Sequence, residues 1–295
     1  MRRGDIARLV ALAAIWGASF VFIRVVAAPL GPWWTATGRV LLAGIVLVGW
    51  LALSRQPARF AQRWRTYLFV GVVSSALPFV LYAHAALTLP ASYMVVLNAM
   101  TPLFAAVLAA AFLGERLTTI KLVGIVLGVA GVVLVSGAGT IALGGPVVAA
   151  IGACVAATLC YAAGGVWLKR HAADLPPSAI AAWSQLLAGI VLLPVALRSP
   201  PPGPLTATVL GNLAALALLS SAVAYLLYFR LIRDIGPTRA LTVTFLMPAF
   251  GMLFGTVFLG ETLHAAMLAG AALILVGTFA VLRPAVVDTR ALGVR

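Results

Sequence analysis

Apolar and polar positions along this chain fall into long blocks, not into the short amphipathic stripes of a water-soluble fold. No charged residue occurs from Leu122 to Leu168. That run far exceeds the roughly 20 apolar residues needed to cross a bilayer. It must break, and Gly137-Ala138-Gly139 with Gly144-Gly145-Pro146 marks the place. The same reasoning, carried from one polar cluster to the next, predicts ten membrane-spanning helices. They cover residues 6–27, 32–54, 64–86, 91–113, 118–137, 147–168, 177–197, 207–231, 238–259 and 264–283. Pro32, Pro177 and Pro237 fall at or just before predicted helix starts, where a missing N–H costs nothing. Pro200-Pro201-Pro202-Gly203-Pro204 reads as a linker between the seventh and eighth spans. Met1-Arg2-Arg3 before an apolar run also resembles a signal peptide. The run is long enough to span and lacks a polar cleavage region, so it is read as a retained first span.

Composition agrees. Of 295 residues, 63% are hydrophobic and 9% charged, against about 25% charged in soluble domains. So little charge cannot cover a soluble surface of this size, which excludes a water-soluble enzyme. The net charge of +14, from 20 Lys and Arg against 6 Asp and Glu, points either to nucleic acid or to a membrane surface. Position decides between them. With a cytoplasmic N-terminus, 17 of the 20 basic residues fall on the inner side, only Arg24 and Arg198 fall outside, and Arg39 lies within span two. That is the positive-inside pattern, so the expected partner is membrane lipid and not nucleic acid. Both termini are then cytoplasmic. Cys154 and Cys160 are too few for a disulfide framework or a four-cysteine zinc site, and read as small core residues.

The halves repeat at an offset of 145–146 residues. Leu41 to Leu47 and Leu186 to Leu192 are the same seven residues. Ser74-Ser75 with Leu81-Tyr82 returns as Ser220-Ser221 with Leu227-Tyr228, and Pro102 with Leu113-Gly114-Glu115 returns as Pro248 with Leu259-Gly260-Glu261. Gly124 and Gly131 return as Gly270 and Gly277. Five spans per repeat is an odd number, so the second repeat enters the membrane the opposite way up. The expected architecture is all-α and integral to the membrane: two inverted five-helix repeats, residues 1–140 and 141–295. Such pseudosymmetry is typical of secondary transporters that hold their solute near the midplane, between the repeats.

The Pro102…Leu-Gly-Glu115-Arg116-Leu…Gly124…Gly131 pattern and its echo, together with Trp16-Gly17-Ala18-Ser19-Phe20 and Arg39, resemble the EamA group of the drug/metabolite transporter superfamily. The resemblance covers nearly the whole chain. It implies a carrier of the bacterial inner membrane that exports amino acids and other small metabolites. Within the group the chain looks most like the exporters of aromatic amino acids.

Depth along each span nominates the residues that meet a solute. Ser75, Pro78, Phe79 and Tyr82 share one helical face at i, i+3, i+4, i+7 spacing, and Ser221, Tyr225 and Tyr228 repeat that stripe. Trp16, Asn98, Tyr161 and Trp183 lie at similar depth, with Trp16, Tyr82 and Trp183 ranked first. Rings and hydroxyls together would suit a zwitterion with a sizeable side chain, although such aromatics also fill cores. Pro78, Pro102 and Pro248 interrupt helices and free carbonyls, either as bends beside a cavity or as packing kinks. Arg39 is a charge within the membrane, read as a structural or gating group that snorkels outward, with a substrate carboxylate as the competing partner.

Glu115 and Glu261 read as caps of following helices. No Asp or Glu occupies a predicted midplane, where proton-driven carriers place one. Facilitated export or weak proton coupling is therefore expected. Gly124, Gly128 and Gly131 form a small-residue packing stripe, used more within the chain than for dimerisation, so a monomer or weak dimer is expected. Multidrug or other metabolite export on the same fold is the alternative, and an intramembrane enzyme a more distant one. Three histidines and no midplane carboxylate leave no catalytic cluster, and no Gly-Lys-Ser/Thr phosphate loop is present. No cofactor or metal is implied.

Overall fold

The computed structural model describes residues 2–56, 58–136 and 144–282. The expected break at Gly137-Ala138-Gly139 lies outside these residues, as do Arg283, Arg290 and Arg295. The helices are α1 (Arg3–Leu53), α2 (Phe60–Ala85), α3 (Ala91–Leu113), α4 (Thr119–Ser136), α5 (Gly145–His171), α6 (Pro177–Leu197), α7 (Ala207–Ile235), α8 (Val243–Leu259) and α9 (Ala265–Leu282). A single helical turn, Pro237–Ala240, precedes α8. Among the described residues eight helices are long and apolar enough to cross a membrane, and α8, at 17 residues, is shorter.

The first two expected spans run together as α1. Its 51 residues would measure about 76 Å at 1.5 Å per residue, more than twice a bilayer core of about 30 Å. Gly31 breaks it, with φ 72° and ψ 160°, between Pro29 and Pro32. Only glycine adopts that φ without strain. The Thr35 hydroxyl donates to the Gly31 carbonyl at 2.8 Å. The proline-rich linker packs on this bend: Gly203 N–H donates to the Pro29 carbonyl at 3.0 Å. A Cβ on Gly203 would stand 2.9 Å from the Pro29 Cα, so a larger residue would push the linker away.

The packing follows the small residues. α1 lies against α6, α7 and α8; α5 lies against α2 and α3; α4 pairs with α9. A Cβ on Gly44 would fall 2.5 Å from the Leu186 backbone, and one on Gly189 would meet the Leu41 side chain at the same distance. A Cβ on Gly124 would fall 2.6 Å from the Gly277 carbonyl, and one on Gly270 would fall 2.7 Å from the Gly131 carbonyl. Each close approach in one half is thus returned in the other. In lipid, where apolar surface gains little by burial, such backbone contact is what holds helices together.

Two π-helical stretches, Val72–Ala76 in α2 and Ala215–Val223 in α7, were not foreseen from sequence. They occupy corresponding places in the two halves. An i→i+5 turn inserts one residue and turns every later side chain relative to a regular helix.

Candidate functional site

The inner face of α1 is set by spacing. Ala36, Arg39, Val40, Ala43 and Leu47 are buried, while Leu42, Ile45 and Val46 face outward. Arg39 therefore points into the bundle, at 7% exposure. It borders a central cavity of about 370 Å³, large enough for an amino acid or a small metabolite. Its Nε donates to the Ser221 hydroxyl at 3.0 Å, and its guanidinium carbon lies 3.7 Å from the centre of the Phe79 ring. A charge at such a depth costs about 3 kcal/mol by insertion measurements, so it is sustained only where a partner or water meets it.

Aromatic rings make up much of the wall. Trp16 tilts against Tyr228 at 5.4 Å, and Phe20 meets Tyr82 edge-on at 5.4 Å. Tyr161 stacks near Tyr82 at 6.3 Å. The Tyr82 hydroxyl donates to Asn98 Oδ1 at 2.9 Å, which leaves the Asn98 amide N–H groups as donors at the cavity wall. Ser220 donates to the Ile15 carbonyl at 3.3 Å and so ties α7 to α1. Among the described residues no Asp or Glu lines this cavity.

The structure brings Trp16, Phe79, Tyr82, Asn98, Tyr161, Tyr225 and Tyr228 together around the cavity, as the spacing suggested. Two expected members lie elsewhere. Ser75 is buried outside the wall and Ser74 lines it instead, because the π-helical turn shifts the register by one residue. In the same way Ser220 faces the cavity while Ser221 stands behind it and holds Arg39. Trp183 tilts against Phe60 at 4.1 Å, in a separate cluster with Leu47, Leu51 and Tyr67. Arg39 stays among the cavity walls and does not reach outward. Pro78 stands in the first turn after the π-helical stretch, Pro102 opens the second segment of α3 after a break at Ala99–Met100, and Pro248 is buried inside α8.

Phe20, Ile23 and Met247 also line the cavity and were not nominated. Phe20 and Ile23 continue the Trp16 stripe at helical spacing, so that face of α1 carried the signal.

A second hollow of about 440 Å³ shares Thr101, Tyr161, Gly165, Leu241 and Thr244 with the first, so the two adjoin. Glu115, Lys121 and Lys169 stand at its mouth. Lys169 Nζ lies 2.8 Å and Lys121 Nζ 3.7 Å from the Glu115 carboxylate. The Lys169 hydrogen bond, chiefly, holds that carboxyl below its ordinary value of 4.5. At the opposite end Glu261 accepts the Ala91 N–H at 2.6 Å and the Ser92 N–H at 2.9 Å, so it caps the start of α3. Ala91 through Leu97 are all buried there. The hollow beside the cavity thus lies towards the Glu115 end, while the Glu261 end is tied by backbone hydrogen bonds to a buried helix start.

Comparison with known proteins gives a concordant picture. The model of the EamA-like transporter family matches residues 4–137 and again 148–283. The chain is 29% identical over 261 residues to the uncharacterized inner membrane transporter YedA of Escherichia coli (strain K12), covering 86% of this chain and 83% of that one. It is 28% identical over 268 residues to an S-adenosylmethionine/S-adenosylhomocysteine transporter of Chlamydia muridarum (strain MoPn / Nigg), covering 85% and 82%. A crystal structure at 17% identity superposes with a TM-score of 0.69 over all of both chains, a likeness of fold alone.

Proposed function

Because the chain belongs to the EamA-like transporter family, and is thereby a membrane transporter of small molecules and not an enzyme, we propose that it exports amino acids with aromatic or other apolar side chains across the bacterial inner membrane. One observation carries the reading. The central cavity, of about 370 Å³, joins an aromatic wall to a few hydrogen-bonding groups inside the bundle. A carrier holds its solute in such an internal cavity near the midplane. The family's aromatic amino acid exporters are the subgroup such a wall fits best.

The same reading takes the chain as ten crossings in two inverted repeats, residues 1–140 and 141–295. The bend at Gly31 supports counting α1 as two crossings, α8 being the ninth of the ten. The reciprocal glycine contacts and the double match to the family model support the pseudo-two-fold. Exchange of the two halves' roles then gives alternating access. The distribution of basic residues supports cytoplasmic termini. The absence of an acid from the cavity wall supports export down a gradient over proton-driven pumping.

Counterflow in proteoliposomes tests the substrate class. Vesicles loaded with unlabelled phenylalanine should accumulate labelled phenylalanine transiently and saturably. Failure across all twenty amino acids would overturn the reading. S-adenosylmethionine belongs in the same screen, since a relative is named for it and an adenine ring would also stack on Trp16 and Tyr228. An imposed pH gradient should leave the plateau unchanged.

A further inference from the structure

The described residues include five carboxylates; none lines the central cavity, and the nearest, Glu115 in the adjoining hollow, is taken up by Lys169 and Lys121. Asp5 pairs with Arg8; Asp234 pairs with Arg8, Arg230 and Arg233. Asp174 pairs with Arg63 and Arg59, Glu115 with the two lysines, and Glu261 with backbone N–H groups. Arg39 has none of them. It donates from Nε to Ser221 and lies over the Phe79 ring, with the neutral phenols of Tyr161 and Tyr225 near it, and its terminal N–H groups make no hydrogen bond to another described residue. A neutral hydroxyl and a ring face do not neutralise a guanidinium, and a buried charge persists where an opposite charge or water meets it. The position of Arg39 in the cavity wall leaves that place to whatever enters the cavity.

We propose that Arg39 is the anion-recognition group of the cavity: the transported solute carries a carboxylate or similar oxyanion that pairs with its terminal N–H groups, next to an apolar body held by the aromatic wall. This deepens the export reading and rests on it for the location of the solute. The guanidinium presents a planar pair of donors that matches a two-oxygen acid, and Ser221 fixes the plane by occupying Nε. Asn98, its oxygen taken by Tyr82, adds neutral donors to the wall. No acid stands ready for a cation, so an amine contributes only by lying over the rings of Trp16 and Tyr228. The carrier should therefore accept acids and zwitterions and refuse amines that lack an acid.

The test compares ligands of one shape on the purified full chain in detergent, read by thermal stabilisation. L-phenylalanine and 3-phenylpropionate should stabilise the wild type, with L-phenylalaninamide at least about tenfold weaker, the scale of a lost charge-assisted bond. Phenylphosphonate binding as well as the carboxylates would mark a general oxyanion site. Arg39→Gln should abolish the preference for acid over amide, and Arg39→Lys should keep part of it. The wild-type ratio needs no variant, so a folding defect in Arg39→Gln does not shield the proposal. Equal stabilisation by amide and acid, or none by any acid, overturns it. Proteoliposome counterflow separates the two readings. Transport of phenylalanine and its amide alike sinks the anion site and keeps the exporter. Acid binding dependent on Arg39, without amino acid transport, keeps the site and sinks the exporter.

Discussion

Glu115 and Glu261 occupy equivalent places in the two halves, 146 residues apart, yet they live in different surroundings. Glu261 accepts two backbone N–H groups and closes its end. Glu115 is drawn to two lysines at the mouth of an open hollow. The sequence holds two reasons for the difference. The counterpart of Ala91 is Pro237, which has no N–H to give, so the Glu115 end offers one donor fewer at that register. The counterpart of Gly255 is Ala109. A Cβ on Gly255 would stand 2.5 Å from Glu261 Oε2, so the methyl already present on Ala109 obstructs the matching position of Glu115. Single residues thus give the two corresponding glutamates different partners, and on the proposed alternating-access reading this would favour closure at the Glu261 end and opening at the Glu115 end.

The comparison breaks most directly at Glu261. Glu261→Ala leaves two buried N–H groups without an acceptor and should destabilise the closed end by about 2–4 kcal/mol. Thermal unfolding should fall accordingly. A cysteine placed at Ser92, with Cys154 and Cys160 replaced, should change from protected to reactive towards a bulky maleimide. Equal losses from Glu261→Ala and Glu115→Ala would show that the two ends are not different.

A smaller step is Gly255→Ala. Its methyl meets a carboxylate oxygen that can swing aside, so one hydrogen bond is strained and not both. The expected cost is about 1–2 kcal/mol, with partial exposure of the Ser92 site. The reverse change sharpens the comparison from the other side. Ala109→Gly with Pro237→Ala restores to the Glu115 end what the Glu261 end possesses. It should shift the balance of open and closed forms at that end by roughly 1 kcal/mol, about fivefold in population. Slower labelling of a cysteine placed at Ala105, within the hollow, would read it. Unchanged labelling would mean that the bias lies elsewhere.

These asymmetries were present in the sequence but could be read only once the fold showed what faced what. The helices themselves were legible because apolar blocks of membrane length leave few choices: α6 matches its expected span at both ends, and α4 matches within a residue. The break between the first two expected spans was legible through Pro32, and the bend itself falls on Gly31, one residue earlier. Seven of the nine nominated wall residues line the cavity because depth and helical spacing are both readable. Ser75 failed because no residue type announces a π-helical turn, and one inserted residue turns the face. Trp183 failed because depth alone does not say which way a ring points, and its neighbour Phe60 comes from outside any expected span. Arg39, by its depth alone, reads as snorkelling outward; instead it lies in the cavity wall, where it bonds Ser221, a residue 182 positions away that no local pattern pairs with it.

The smallest effect is expected at Glu115, and its pH dependence carries a definite sign. The Lys169 hydrogen bond lowers the Glu115 carboxyl below its ordinary value, so folding favours the ionised form. The stability this provides is complete at neutral pH. It drains away as the pH falls through the folded-state value, below the ordinary 4.5. The side chain is 38% exposed, so water screens the pair and the contribution stays under about 1 kcal/mol. Glu115→Gln should therefore lower thermal stability slightly at pH 7, and the difference should shrink steadily as the pH is lowered through the folded-state value, where the wild type loses the same charge. Added salt should shrink the neutral-pH difference further. If Glu115→Gln costs as much as Glu261→Gln at pH 7, with no dependence on salt, then Glu115 is as tightly held as its counterpart and the two ends do not differ as described.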